Sequence, residues 1–408
     1  MNSSIRIQLS IMMFFEFLVW GAWYVTMGTY LTTTLHASGT QNGAAYGAVA
    51  IATIISPFIV GMIADRYFAA QKFMGVLHLI GGALLLLSTQ IKDPASFFWI
   101  ILAYAAVYMP TIALANSVAF NQMTAPEKEF SGVRVWGTLG WIVIGLAIGW
   151  LKIEGVANIA TTVIPFQLAA GASFLLGIYC FFLPDTPPKA KTSDGGISNV
   201  LGLDALVLFK DRSYLVFFIA SILICIPLSF YYSFTNPFLT DIGMVNATGK
   251  MTMGQMSEVL FMILLPVFFA RLGIKYILLM AMLAWIARFA GFAFGNAGDR
   301  IWLLYLGIIL HGLCFDFFFV AGMIYTETKA GAKFKNAAQG LITFATYGVG
   351  MFIGTNLSGR VADWHQTGNG KLDWQAFWLF PVYLTVGILV FFLLFFNEKN
   401  REIKNING

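Results

Sequence analysis

Asp316 stands in a run that otherwise belongs in hydrocarbon: Gly312-Leu313-Cys314-Phe315-Asp316-Phe317-Phe318-Phe319-Val320. A charged side chain at the centre of a bilayer costs about 3 kcal/mol or more, and residues kept there mark ion or substrate pathways. Glu258 and Glu16 are two further acids in equally apolar surroundings. A carboxyl group flanked by Phe315 and Phe317, with Gly312 one turn back to leave room, can exist protonated as well as ionised. Proton coupling requires such a group. The plainer alternative is a structural ion pair, to Arg288 or to Arg134. His311 lies five residues before Asp316, roughly 140° around a helix, and reads as a packed histidine rather than a partner.

Three other constellations accompany it. Gln255 and Glu258 are i, i+3 neighbours on one helix face, where an amide and a carboxylate can read hydroxyls and ring nitrogens or make a helix-packing hydrogen bond. Arg134, Thr138 and Trp141 follow i, i+4, i+7 spacing. A cation, a hydroxyl and an indole on one face suit a polar ligand with a flat ring; the alternative is anchoring at the membrane interface. Glu16, Trp20 and Trp23 repeat this spacing, as pathway lining or as interhelical bonding. Pro57, Pro110, Pro227 and Pro266 fall within apolar runs and take no ligand role.

The elements that must position these groups are membrane helices. The chain has 408 residues, 59% hydrophobic and only 11% charged, against roughly 25% charged in a soluble domain. Apolar blocks recur near the ~20 residues that cross a bilayer, without the ~10-residue alternation of a barrel. Twelve spans are predicted, near 7–33, 42–63, 71–91, 96–122, 134–153, 163–184, 213–239, 250–270, 274–296, 301–327, 336–361 and 374–397. About sixteen Lys and Arg fall on the side of the termini, against six opposite, so both termini are expected in the cytoplasm. Residues 185–212 form the longest connection, opening with Pro184-Asp185-Thr186-Pro187-Pro188 and closing with an amphipathic stretch, Leu201–Lys210. It separates a six-helix half, 1–184, from a second, 213–397, with a tail at 398–408. The net charge of +5 is a topology signal and needs no nucleic acid. No phosphate loop, metal-ligand cluster or nucleophile beside a base appears, so no enzyme, metal or cofactor is expected. Cys180, Cys225 and Cys314 lie in predicted helices and suggest no disulfide framework.

Between spans two and three the chain reads Gly61-Met62-Ile63-Ala64-Asp65-Arg66, with Lys72 beyond. This resembles the loop signature of the major facilitator superfamily. Gly61 permits close helix approach, and Asp65 with Arg66 can pair across helices and gate the rocking of two halves. Other segments are similar to the nucleoside:proton symporter family, specifically its nucleoside transporter branch. They are Leu201–Leu206, Tyr108-Met109-Pro110-Thr111, Arg134–Thr138, Gln255 with Ser257-Glu258, Phe315-Asp316-Phe317 and Ala338-Gln339-Gly340. The resemblance spans essentially the whole chain.

It implies an all-α integral membrane protein of twelve helices that takes up nucleosides across a bacterial inner membrane with protons, by alternating access. It places the nucleoside site on Arg134, Thr138, Trp141, Gln255, Glu258, Phe315 and Asp316. The family's polar pair in span seven falls on Ser229 and Tyr232, which bond differently, and Glu16 replaces a neutral amide. Both departures bear on the identity of the substrate. Asp316, Glu258 and Glu16 are the proton-coupling candidates, Asp316 first. The bilayer, nucleoside and protons are the expected partners of a working monomer. Rival expectations are a carrier or uniporter of another sugar-bearing compound, and a sensor that binds a nucleoside without moving it.

Overall fold

A computed structural model describes residues 1–59, 68–151, 153–187, 203–368 and 371–398. Every regular element among these residues is helical; the β contacts are isolated bridges such as Ile153 with Val156. We number the spanning helices α1 (Ser3–Tyr24, extended by a π-helical turn at Tyr30–Thr34), α2 (Gly39–Ile59), α3 (Ala70–Ser88), α4 (Pro94–Asn121), α5 (Pro126–Trp150) and α6 (Ile164–Cys180). After the connection come α7 (Arg212–Asp241), α8 (247–272), α9 (274–294), α10 (301–330), α11 (332–364) and α12 (Trp374–Phe395). Nine described segments are long and apolar enough to cross a bilayer. Division of Ala247–Phe294 at Gly273, together with α2 and the shorter α6, brings the total to the twelve helices of the sequence reading.

Local chemistry explains the breaks. Gly273 has φ 74° and Gly331 φ 61°, left-handed values that glycine adopts without the Cβ penalty. There the chain leaves one helix and enters the next with almost no loop. At α4, Asp93 accepts a hydrogen bond from the backbone N–H of Ser96 and Pro94 occupies the first turn, both favourable at a helix start. Helix α5 begins at Pro126, so Arg134 lies two turns inside it rather than at its opening. The amphipathic stretch forms a short 3-10 helix, Leu203–Lys210, with Asp204 in its first turn and Lys210 in its last; Leu201 and Gly202 lie outside the described residues. So do Gly61, Asp65 and Arg66 of the loop signature.

Two compact units emerge from backbone packing: 1–194 with Tyr232–Thr252, and 195–231 with 253–408. In the first, α1 packs along α5 and α6, and α4 holds α2 and α3. Its apolar core centres on Val19, Trp23, Tyr30, Tyr104 and Phe166, with a second cluster around Met12, Met74 and Leu176. In the second, the buried residues include Trp378 stacked on Phe289 at 5.7 Å between ring centroids.

Candidate functional site

In the first unit, α5 presents Arg134, Thr138 and Trp141, all half-buried. Their face is set by how closely α1 approaches. A Cβ on Gly140 would collide with the backbone carbonyl of Phe14, and one on Gly137 with the ring of Phe17. The two helices therefore touch backbone to backbone, as small residues allow in membranes. Arg134 then lies with its guanidinium carbon 3.8 Å over the Phe17 ring, a cation–π contact. Trp141 meets the edge of Trp20 at 5.7 Å, and Trp20 in turn meets Tyr24 at 5.7 Å and Tyr108 at 6.2 Å. The indole N–H of Trp20 is buried without a hydrogen-bond partner. Trp20 thus joins the aromatic surface of Trp141, although helical spacing grouped it with Glu16 and Trp23. Tyr232 also belongs to this unit, half-buried, its ring 5.4 Å from Tyr24.

Glu16, one turn before Trp20, is fully buried. One carboxylate oxygen is 2.8 Å from His78 Nε2 and the other is 2.7 Å from the Thr111 hydroxyl, whose single proton is shared between that oxygen and the Tyr108 carbonyl at 2.6 Å. Tyr108 donates to the Glu16 backbone carbonyl at 2.6 Å. Ser173 donates to the His78 carbonyl at 2.9 Å. Having spent its single proton there, its hydroxyl accepts from His78 Nδ1 at 3.1 Å. With Nδ1 protonated, the Glu16–His78 contact holds one shared proton. Helices α1, α3, α4 and α6 meet in this network.

In the second unit, α8 and α10 cross at two glycines. A Cβ on Gly312 would strike the backbone of Ser257 and Glu258, and one on Gly254 would press on His311. The Gly312 N–H donates to Ser257 Oγ at 3.0 Å. Gly312 was expected to leave room beside Asp316. The space is taken instead by the α8 backbone at Ser257 and Glu258. Gln255 and Glu258 are half-buried on α8. Asp316 is fully buried, opens the π-helical turn Asp316–Val320, and has no hydrogen-bond partner on either oxygen among the described residues. Such turns are rare and frequent at functional sites. Phe315, half-buried, lies 5.8 Å from the His311 ring, and Phe317 packs edge-on to Phe268 at 5.0 Å.

The remaining expected residues separate. Ser229 is buried, and its hydroxyl donates to the Cys225 carbonyl at 2.8 Å beside Gly354 of α11, while Tyr232, three residues on, belongs to the other unit. Arg288 makes no ion pair with Asp316 among the described residues. It is fully buried, with Nη1 2.9 Å from His311 Nδ1, and His311 Nε2 is 3.9 Å from Glu258. Sequence reading treated His311 as packing alone and did not consider His78. The available signal was an imidazole in each half within an apolar run that also needed a partner for an acid.

Comparison with known proteins identifies the family. The family model described as nucleoside H+ symporter matches residues 1–401. The chain is 44% identical over 407 residues to the Escherichia coli (strain K12) protein YegT, covering 98% of this chain and 95% of that one. It is 35% identical over 419 residues to the xanthosine permease of the same organism, with 98% and 99% covered. Its fold matches the crystal structure of the nucleoside transporter NupG with a TM-score of 0.87 at 31% identity, covering 98% of this chain and 100% of that one. Similarity that runs from end to end, on the same helical framework, makes this chain a member of the nucleoside H+ symporter family.

Proposed function

We propose that this chain carries a nucleoside together with protons across the cytoplasmic membrane by alternating access, with Asp316 as the proton-carrying group. Family membership over residues 1–401 supports the substrate class. The observation that carries the role of Asp316 is a fully buried carboxyl group inside a membrane helix with neither oxygen hydrogen-bonded. An ionised carboxylate is costly to bury unless paired or hydrogen-bonded; a protonated one is not, and release of that proton changes what the site can hold. Glu16 leaves the set of coupling candidates in this proposal, because His78 and Thr111 already occupy its oxygens.

The nucleoside contacts we assign are Arg134, Thr138 and Trp141, with Gln255, Glu258, Phe315 and Asp316. Trp141 or Phe315 stacks the base, and the amide and carboxylates accept from ribose hydroxyls. Ser229 becomes a packing residue, and Tyr232 contributes its ring to the surface around Tyr24. We place both termini in the cytoplasm of a bacterial cell on the charge bias of the loops. Residues 185–212 join the halves of a transporter, not an enzyme, that works as a monomer.

The test is uptake of labelled nucleosides into proteoliposomes under an imposed pH gradient. Wild type should accumulate substrate, and Asp316→Asn should retain exchange but lose gradient-driven accumulation. Full accumulation by Asp316→Asn would remove Asp316 as the coupling group. Equilibration without accumulation by the wild type would make the protein a uniporter.

A further inference from the structure

Arg288 has no part in the site described so far, yet a full positive charge deep in a membrane helix needs a reason. It is completely buried in α9. Its guanidinium carbon lies 3.4 Å over the Tyr231 ring of α7. Among the described residues no carboxylate lies within ion-pair distance of it, and its Nε and Nη2 have no hydrogen-bond partner. Its directed contact is Nη1 to His311 Nδ1, 2.9 Å.

That contact fixes the chemistry of the imidazole. A guanidinium has donors and no acceptor, so His311 Nδ1 must accept. The ring is then neutral and carries its proton on Nε2. Stacking on Tyr231, at 5.1 Å and 22° between rings, and the close approach of Gly254 hold its plane. The Nε2 atom is 3.9 Å from Glu258 Oε2. This is longer than a hydrogen bond, and a small movement of the Glu258 side chain would close it.

We propose that Arg288 is a positioning residue for Glu258, acting through His311: it fixes the Nε2–H tautomer, and that N–H sets the direction in which the Glu258 carboxylate faces the nucleoside. The inference rests on Glu258 as a nucleoside contact. It separates the two acids by their surroundings. Glu258 has the Nε2 atom of a cation-anchored ring 3.9 Å away, whereas Asp316, on the same helix as His311, has no hydrogen-bond partner among the described residues. The charged and titratable groups against the ring are Arg288, Glu258 and Tyr231 from three neighbouring helices, and Cys314 and Asp316 follow it on its own helix.

The experiment measures saturable binding of labelled uridine, adenosine and xanthosine in turn, between pH 5.5 and 8, in reconstituted wild type and four variants. His311→Gln keeps an acceptor for Arg288 and a donor for Glu258, and should hold affinity within about threefold of wild type. His311→Leu loses both and should weaken binding by roughly tenfold or more, about the effect of one hydrogen bond to a charged group. Arg288→Gln frees the imidazole to take a second proton, so binding should gain a new ionisation in this pH range. The double variant Arg288→Gln/His311→Gln should lack it. A merely structural arginine would not create a titration that a second substitution in the ring removes. The inference is overturned if His311→Gln binds as poorly as His311→Leu, or if Arg288→Gln keeps the wild-type affinity and pH profile. Should His311→Leu not fold, the profiles of Arg288→Gln and the double variant decide. A wild type that binds none of the three nucleosides refutes the functional reading itself; a wild type that binds, with variants unchanged, refutes only this inference.

Discussion

A tryptophan edge and an arginine held over a phenylalanine set the demands on individual residues of α5. Trp141 offers a half-buried ring braced by Trp20. Stacking of a base on an aromatic side chain is worth about 1–3 kcal/mol, so Trp141→Ala should weaken nucleoside affinity by roughly 5- to 100-fold. Trp141→Phe should recover most of it, and equilibrium binding reads both. Arg134→Lys should also bind poorly although it keeps the charge, because the planar fork and its seat on Phe17 are lost. How far these roles could be read from sequence follows from helix geometry. Period alone puts Arg134, Thr138 and Trp141 on one face. It says nothing of the opposite helix, so Trp20 was grouped with Glu16 although its ring lies against Trp141. The same limit hid the partners of the buried ions. Glu16 bonds to His78, 62 residues away, and Arg288 to His311, 23 residues away. Such contacts are made by packing, which a one-dimensional pattern does not contain.

At the scale of helices, the span positions were legible because bilayer thickness fixes run length. Less legible was the work done by glycines. Gly312 looks like room for a side chain and serves as the contact between α8 and α10. Gly312→Ala must push those helices apart, and overpacking of this kind costs about 1–3 kcal/mol. It should lower thermal stability and reduce uptake, whereas Gly387→Ala in α12, where a Cβ meets nothing within 4 Å, should do neither. The Glu16–His78 pair ties α1 to α3 with no solvent exposure. Removing one partner of a buried pair costs about 3–5 kcal/mol, so Glu16→Gln or His78→Leu alone should destabilise strongly. A double-mutant cycle should show the two effects coupled. Helix starts add an acid sensitivity. Hydrogen bonds from Ser96 hold the Asp93 carboxyl below its ordinary value of 3.8. Burial opposes ionisation of Asp211, but the bonds from Lys329, Tyr214 and Ser213 outweigh it and hold that group low as well. A depressed pKa means that the stabilisation is complete above the unfolded value and fades as pH falls through the folded one. Melting temperature should therefore drop below about pH 4, and Asp93→Asn should flatten part of that drop.

For the whole molecule, the family fold and a proton-carrying acid lead to a quantitative limit. One elementary charge moving through 100 mV supplies about 2.3 kcal/mol, which by the relation of free energy to concentration ratio is roughly forty-fold accumulation of a neutral nucleoside. A second proton squares that ratio, to on the order of a thousandfold. One coupling acid, Asp316, therefore predicts a plateau near forty-fold at 100 mV with no pH gradient, measured as internal over external nucleoside in proteoliposomes under a potassium-diffusion potential. If Glu258 also carried a proton in each cycle, the plateau would rise with the square. The arrangement of α8 and α10 favours the lower value, because Glu258 lies 3.9 Å from the Nε2 of a clamped imidazole while Asp316 has no hydrogen-bond partner among the described residues. A plateau an order of magnitude above forty-fold would sink the single-acid scheme and return Glu258 to the proton path.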